Sequence, residues 1–400
     1  MKFRKIVPIV LLSGLFFNLL GVEPENEKPK KEADIQLNII IPNTPVKDQY
    51  RTSTCWSFST ISFIESELLR ISGKTYDLSE MFIVRKAYEE KAKRYIRMHG
   101  NINFAGGGEP NDVINILNTY GLMPESAYSG LIDESTDHVH TDMDRVLKEF
   151  IKSLVEDERS LINKNWLKPF NAIMDSYMGE LPLTFEYNNK EYSSNEFSEE
   201  LGLNASDYVM ISSFTHHPYY SKFILEVPDN WSWGEVYNVP LSEFTEILDS
   251  ALSKGYTATW SADISEKGFN SDEGMAVAPK ILYEPASEGE KRQVVKMSLK
   301  EKNNKFFDLE NPVEEINVTA KKRQESFDNY STEDDHGMHI VGKAKDKSGK
   351  EYYYVKNSWG TDNKYDGYLY VSVPYYQFKS VTIMLHKDAV PLDIRQKLNL

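Results

Sequence analysis

Residues 55–73, CWSFSTISFIESELLRISG, carry apolar side chains at three- and four-residue steps (Ile61, Ile64, Leu68, Ile71), with Glu65, Glu67 and Arg70 on other faces. That spacing predicts an amphipathic helix. It starts at or just before Cys55, after the polar run Arg51-Thr52-Ser53-Thr54, and stops near Gly73. Residues 129–205 are charged and show helical periodicity in DRVLKEFIKSLVEDE. Near the C-terminus, DDHGMHIVG and YYYVKNSWGTDNKYDGYLYV flank a Gly/Lys/Asp turn, and on a strand His336 and His339 would point to opposite faces. At the other end, residues 1–21 place Lys2, Arg4 and Lys5 ahead of an apolar run, and residues 22–36 follow, rich in Glu, Lys and Pro. These two stretches have the layout of an export signal and a solvated linker.

Composition narrows the function classes. Of 400 residues 40% are hydrophobic and 12% aromatic, enough for one large core or two smaller ones. A formal charge of −15 would repel a polyanion, so no nucleic-acid partner is expected. The N-terminal signal implies an exported protein, periplasmic or extracellular; it would touch a membrane only if that segment stays uncleaved. With one cysteine, Cys55, no intramolecular disulfide can form. A free cysteine is often a small buried hydrophobe. Here, however, the thiol falls at a helix N-terminus, where unpaired N–H groups and the helix dipole favour thiolate.

A thiolate nucleophile needs a base that accepts its proton and returns it to the leaving amine, a task suited to His. Eight are present. His99 and His386 lack a recognisable setting, His138 and His140 lie in a charged stretch that reads as surface, and His216 and His217, in SSFTHHPYY, read as packing or subsite residues. The remaining candidates are His336 and His339, upstream of Asn357 in KNSWG, a segment that alone could be a turn between strands.

Taken together, Q-x5-C-W-x-F (Gln49, Cys55, Trp56, Phe58), H-x5-G (His336, Gly342) and N-S-W-G from Asn357 resemble the papain superfamily in the same order. The resemblance implies Cys55 as nucleophile, His336 rather than His339 as base, Asn357 as its orienter, and Gln49 with the Cys55 backbone N–H as oxyanion donors. Trp359 would shield the His–Asn bond, and Trp56 supports the nucleophile. The L-S-E segment before EMFIVRK and the GGGEPNDVINILNTYG run also match, which assigns Gly107 and Gly108 to backbone contact with a peptide substrate, a flexible loop being the alternative. The long span between Cys55 and His336 is similar to the bleomycin hydrolase and aminopeptidase C branch with its helical insertion.

The resemblance implies an α+β, two-lobed papain-like fold: a helical lobe over 37–128, a helical insertion over 129–205, and an antiparallel β-barrel-like lobe over 206–400. It implies hydrolysis of peptide bonds through a thioester, without metal or organic cofactor, and leaves a homo-oligomer open. Three departures stand out. Ser53 replaces the usual Gly two residues before the nucleophile, and Glu109-Pro110-Asn111 stands where a Trp is usual. The branch also places its own C-terminal arm in the cleft to select free N-termini, whereas KDAVPLDIRQKLNL follows closely on the last expected strand. Aminopeptidase action is therefore the leading expectation, with an endopeptidase, an acyltransferase and a silent peptide-binding protein as alternatives. Asp335, beside the base, and Glu109 are expected to bias the cleft toward basic groups or a free amine.

Overall fold

The computed structural model describes residues 35–132, 135–156, 161–283, 296–309 and 312–400. The signal segment 1–21 and residues 22–34 of the linker lie outside the described residues, while Ile35 and Gln36 already belong to the first strand. Twelve helices and thirteen strands are found among the described residues. No helix there is long and apolar enough to cross a membrane.

The helical part is built from α1 (Cys55–Ser72), α2 (Glu80–Arg97), α3 (Pro110–Tyr120), α4 (Thr141–Val155), α5 (Leu167–Met178) and α6 (Ser194–Leu201). Their apolar faces close one core. In α4 the stripe Met143, Leu147 and Ile151 turns inward at four-residue steps, and Phe170, Met174 and Met178 of α5 do the same. The expected start and end of α1 hold: Thr54 caps it with its carbonyl, and Gly73, at φ 69°, ends it in the left-handed conformation that glycine adopts without a Cβ clash.

The expected amphipathicity of α1 does not hold. Every residue from Trp56 to Leu68 is buried, Glu65 and Glu67 included, whereas Ile71 is exposed. The helix runs between the helical core and the sheet, so it has no solvent face until its last turn. Its acids survive burial because each is partnered: Glu65 accepts from Leu78 N–H and Thr44 Oγ1, and Glu67 pairs with Arg70.

The sheet part contains β1 (Ile35–Ile40), β4 (Tyr208–Ser212), β5 (Lys222–Ile224), β6 (Glu235–Asn238), β7 (Ala258–Ala262), β8 (Phe269–Asn270), β9 (Met275–Ala276), β10 (His336–Asp346), β11 (Glu351–Lys356), β12 (Tyr368–Ser372) and β13 (Ser380–His386). The hairpin β2 (Phe185–Tyr187) and β3 (Lys190–Tyr192) stands apart, beside α6. The large sheet runs β5-β6-β4-β13-β7-β10-β11-β12-β9-β8, with β1 added to β10. It is antiparallel except at β4–β6 and β9–β12. Its core is closed by α7 (Leu241–Ser253), α11 (Val373–Lys379) and α12 (Leu392–Leu398); between α7 and α11 in the chain lie α8 (Lys280–Tyr283), α9 (Leu299–Phe306) and α10 (Ala320–Asp328).

Strand β10 positions the site. Its first half pairs with β7 (His336↔Ala262), its second half with β1 (Ile40↔Gly342), and a bulge near Ile340–Gly342 re-aims it between them. Met338 and Ile340 enter the sheet core, whereas Gly337 and His339 meet α1. A Cβ on Gly337 would sit 2.9 Å from Ser59 Oγ and 3.2 Å from Trp56 Cα, so the strand approaches the helix as closely as glycine allows. Residues 387–400 fold against α7: Ser250 donates to the Ala389 carbonyl, Lys397 pairs with Glu243, and Ile394 and Leu398 are buried.

Candidate active site

The close α1–β10 approach brings residues 55 and 336 together. Cys55 opens α1, half-buried, and the backbone N–H groups of Gly337 and Trp56 donate to its sulfur. His336, the residue before Gly337, bonds through Nε2 to Asn357 Oδ1 at 2.7 Å. Asn357 cannot turn freely, because the same oxygen accepts from Ser358 N–H at 2.9 Å. Nε2 must therefore carry the proton, which leaves the Nδ1 lone pair as the imidazole's remaining basic position. The Trp359 ring stacks on His336 with centroids 4.5 Å apart.

Gln49 joins this loop from the opposite side. Its backbone N–H donates to the Ser358 carbonyl, Ser358 Oγ donates to its side-chain Oε1 at 2.7 Å, and its Nε2 donates one hydrogen to the Thr52 carbonyl. The carboxamide is thus clamped with its second N–H uncommitted by these bonds.

His339 goes elsewhere: buried, it meets Ser62 Oγ through Nδ1 at 2.9 Å and packs on Phe63. His138 and His140, expected at the surface, are turned inward. His140 is 3% exposed, and its backbone N–H is tied to the Arg51 carbonyl, so the stretch packs beside the segment leading to Cys55.

The glycine run is pinned from behind. Trp56 Nε1 donates to the Gly106 carbonyl, and the buried Lys91 ammonium to those of Ala105 and Gly107. A Cβ on Gly107 would overlap the Asp229 carboxylate at 1.8 Å. The two glycines therefore differ: Gly107 is buried with its carbonyl occupied, and Gly108 is half-exposed beside Trp56.

Asp335 does not face the thiol. Its carboxylate accepts from the backbone N–H groups of Ile264 and Ser265. The carboxyl whose charge bears on Cys55 is its neighbour Asp334, together with Asp229. Asp334 lies against Glu109, which is fully buried and accepts from Ser261 at 3.3 Å through Oε2, so the two carboxyls can share a proton. Sequence reasoning pointed to Glu109 but missed Asp334 and Asp229. Only the D-D-H run hinted at a choice between Asp334 and Asp335.

These neighbours set the protonation pattern. Burial pushes the Cys55 thiol up to about 12, with Asp334 and Asp229 adding to the rise and the Gly337 and Trp56 N–H groups opposing it. Burial holds His336 down to about 4, against the Asn357 bond. Both shifts favour thiol and neutral imidazole in the free site, whereas the helix N-terminus taken alone favours thiolate. Burial and repulsion from Asp334 lift Glu109 well above the carboxylate range, and burial lifts Asp334 to about 6. Burial and the Asp334 charge therefore both favour the protonated form of Glu109.

Sulfur, imidazole and two clamped carboxamides in one cleft between helix and sheet define a class of protein, the thiol-dependent acyl hydrolases. The family follows from comparison: residues 32–183 and 289–383 match the model of the papain family cysteine proteases, and the chain belongs to that family. It is 20% identical to Aminopeptidase G of Lactobacillus delbrueckii subsp. lactis, over 90% of this chain and 84% of that protein. It is likewise 20% identical to Aminopeptidase C of Streptococcus thermophilus, over 97% and 89%. Among solved structures, pepw from Lactobacillus rhamnosis HN001 superposes with a TM-score of 0.69 at 16% identity, covering 91% of this chain and 84% of that one. The fold is accordingly papain-like and α+β, and the protein is a cysteine peptidase.

Proposed function

We propose that Cys55 attacks the carbonyl carbon of a peptide bond as its proton passes to His336 Nδ1, and that the proton then leaves with the departing amine. Water hydrolyses the resulting thioester, with His336 taking the water's proton. Asn357 holds the imidazole, and Gln49 Nε2 with the Cys55 backbone N–H meets the oxyanion. The observation that supports this assignment most directly is the close approach of Gly337 to Cys55, where a Cβ would lie 3.3 Å from the Cys55 carbonyl carbon, next to the 2.7 Å His336–Asn357 bond. Gly108 is the glycine open to the substrate backbone.

The reading extends to aminopeptidase action. Curated relatives carry that name, and the charges of Asp334 and Asp229 bear on the thiol, with Glu109 against Asp334, a surrounding that suits a substrate ammonium. Export rests on Lys2, Arg4 and Lys5 ahead of an apolar run, and N-terminal sequencing of the mature protein tests it.

Cleavage of one peptide with its amine free and acetylated is the experiment. Aminopeptidase action gives at least a tenfold preference for the free form, equal rates indicate an endopeptidase, and no turnover by wild type overturns the assignment. Cys55→Ser provides the blank.

A further inference from the structure

Three side chains with metal-ligand chemistry converge among the described residues, apart from those that meet at the thiol. They are His216 and His217, on the loop after β4, and Glu226, just beyond β5, and their ligand atoms all lie within 4.8 Å of one another.

The loop that carries the histidines is held in place. The buried Asn238 donates to the carbonyls of Phe214 and His217 and accepts from Phe214 N–H, which staples residues 214–217 to β6. The rings are walled by aromatics: His217 stacks on Phe223 with centroids 4.4 Å apart, and His216 lies parallel to Phe327 at 6.0 Å.

Protonation is fixed by a neighbour. Gln324 on α10 donates through Nε2 to Asp328, which sets its amide so that Oε1 faces His216 Nδ1 at 3.1 Å. His216 therefore carries a proton on Nδ1, and its Nε2 presents a lone pair. That lone pair points at Glu226 Oε2, 2.7 Å away, and His217 Nε2, which finds no hydrogen-bond partner, stands 3.5 Å from the same oxygen. Two imidazole nitrogens thus face one carboxylate oxygen, an arrangement that N–H donors or a divalent ion can satisfy, and only the ion takes all three atoms as ligands at once.

We propose that His216, His217 and Glu226 form a binding site for a divalent transition metal of the zinc type, with Gln324 as the residue that orients His216. Two imidazoles and one carboxylate suit borderline ions such as Zn2+, whereas hard ions prefer all-oxygen sets. Zinc–ligand distances of roughly 2.0–2.2 Å separate tetrahedral ligand atoms by about 3.3 Å; the two contacts to Glu226, 2.7 and 3.5 Å, bracket that spacing, and with all three atoms within 4.8 Å the imidazoles need only close up on the ion. Glu226 is about half-exposed and free to swing the small remaining distance. The open position faces solvent, so the site joins the β4–β5 loop to β5 without drawing on the thiol.

The test uses Cys55→Ser protein, so that the active-site sulfur does not compete, with Zn2+ titrated against a chromophoric chelator and Co2+ as spectroscopic probe. One equivalent of Zn2+ with micromolar or tighter affinity is expected, together with a tetrahedral Co2+ spectrum. Glu226→Gln, at an exposed position that leaves packing intact, should weaken Zn2+ at least tenfold. Gln324→Ala should weaken it by about tenfold through the orientation of His216. Absence of zinc binding, or binding that survives the triple variant His216→Ala/His217→Ala/Glu226→Gln unchanged, overturns the proposal. Peptide hydrolysis is not the readout, so the outcome is independent of the proposed catalytic roles.

Discussion

Two groups of buried carboxyls are reached by α1; burial raises the pKa of both, and they differ in what stands beside them. Along the body of the helix, Glu65 and Glu80 are met by ammonium groups: Lys47 pairs with Glu80 at 2.8 Å and reaches Glu65 at 3.8 Å, and Lys356 is bonded to Thr44 and Ser62 of the same seam. At the head of the helix, Glu109 and Asp334 meet each other, Ser261 and the Asp112 backbone rather than an ammonium, with Asp229 adding like charge. Lys91 serves Asp112 and Asp229 from behind the glycine loop. A compensated cluster holds two halves of a fold together, whereas an uncompensated one stores a demand for positive charge that a substrate can meet.

The largest expected effect tests the compensated side. Glu65→Ala strips the Leu78 N–H and the Thr44 hydroxyl of their acceptor and removes countercharge from Lys47 and Lys356. Breaking such a buried network costs about 3–5 kcal/mol. Chemical denaturation reads it, and a loss below about 1 kcal/mol would mean that water or rearrangement compensates the seam. Glu109→Gln is the matched change at the other cluster. Burial favours the protonated form of Glu109 in the free protein, so an amide of the same shape should leave stability within about 1 kcal/mol of wild type. A substrate ammonium would draw out the carboxylate, which Gln cannot supply, so the preference for a free over an acetylated amine should fall about tenfold, the share of a charge-assisted hydrogen bond. An unchanged preference removes Glu109 from amine recognition.

How much of this contrast was legible in the sequence depends on how local each feature is. Gln49 and Cys55, or Asn357 and Trp359, sit on single short segments, so the family resemblance could be read from them directly. The direction of a carboxylate at a strand entrance is not local. Asp334 and Asp335 are interchangeable in a string, and only the loop after β7, whose N–H groups capture Asp335, decides which one meets the thiol. Nor could periodicity foresee Glu65 and Glu67 inside. The stripe rule presumes a solvent face, and α1 has none for most of its length. His216, His217 and Glu226 meet only because Asn238 and Gln324, from two other elements, fix one loop.

Asp334 also links the cluster to the chemistry, with a smaller effect. Its negative charge raises the thiol, so Asp334→Asn should lower the Cys55 pKa and raise the thiolate fraction at a given pH. Iodoacetamide alkylation followed against pH should show its midpoint moved to lower pH and a rate several-fold faster near neutrality. A midpoint that stays or rises would show that Asp334 is screened from the sulfur.

The same substitution carries the last and smallest expectation, in stability against pH. Asp334 ionises at about 6 in the folded protein because burial and the charges of Asp229 and Asp335 outweigh the Glu109 bond, whereas its ordinary value is 3.8. Between those values the folded chain keeps a proton that the unfolded chain has released, so this group makes stability fall as pH rises through that window. Below it both states are protonated, and above it both are ionised with the folded state carrying the full cost. His336, held low, acts in the reverse sense, as a buried neutral imidazole does, but it is present in both proteins and cancels in a comparison. Melting temperatures of Asp334→Asn and wild type should therefore be closest near pH 4, diverge in favour of the variant up to about pH 6, and run parallel above. A difference that is flat across that range would mean that Asp334 gives up its proton as readily inside the cleft as in water, and the contrast between the two carboxyl groups would lose its uncompensated half.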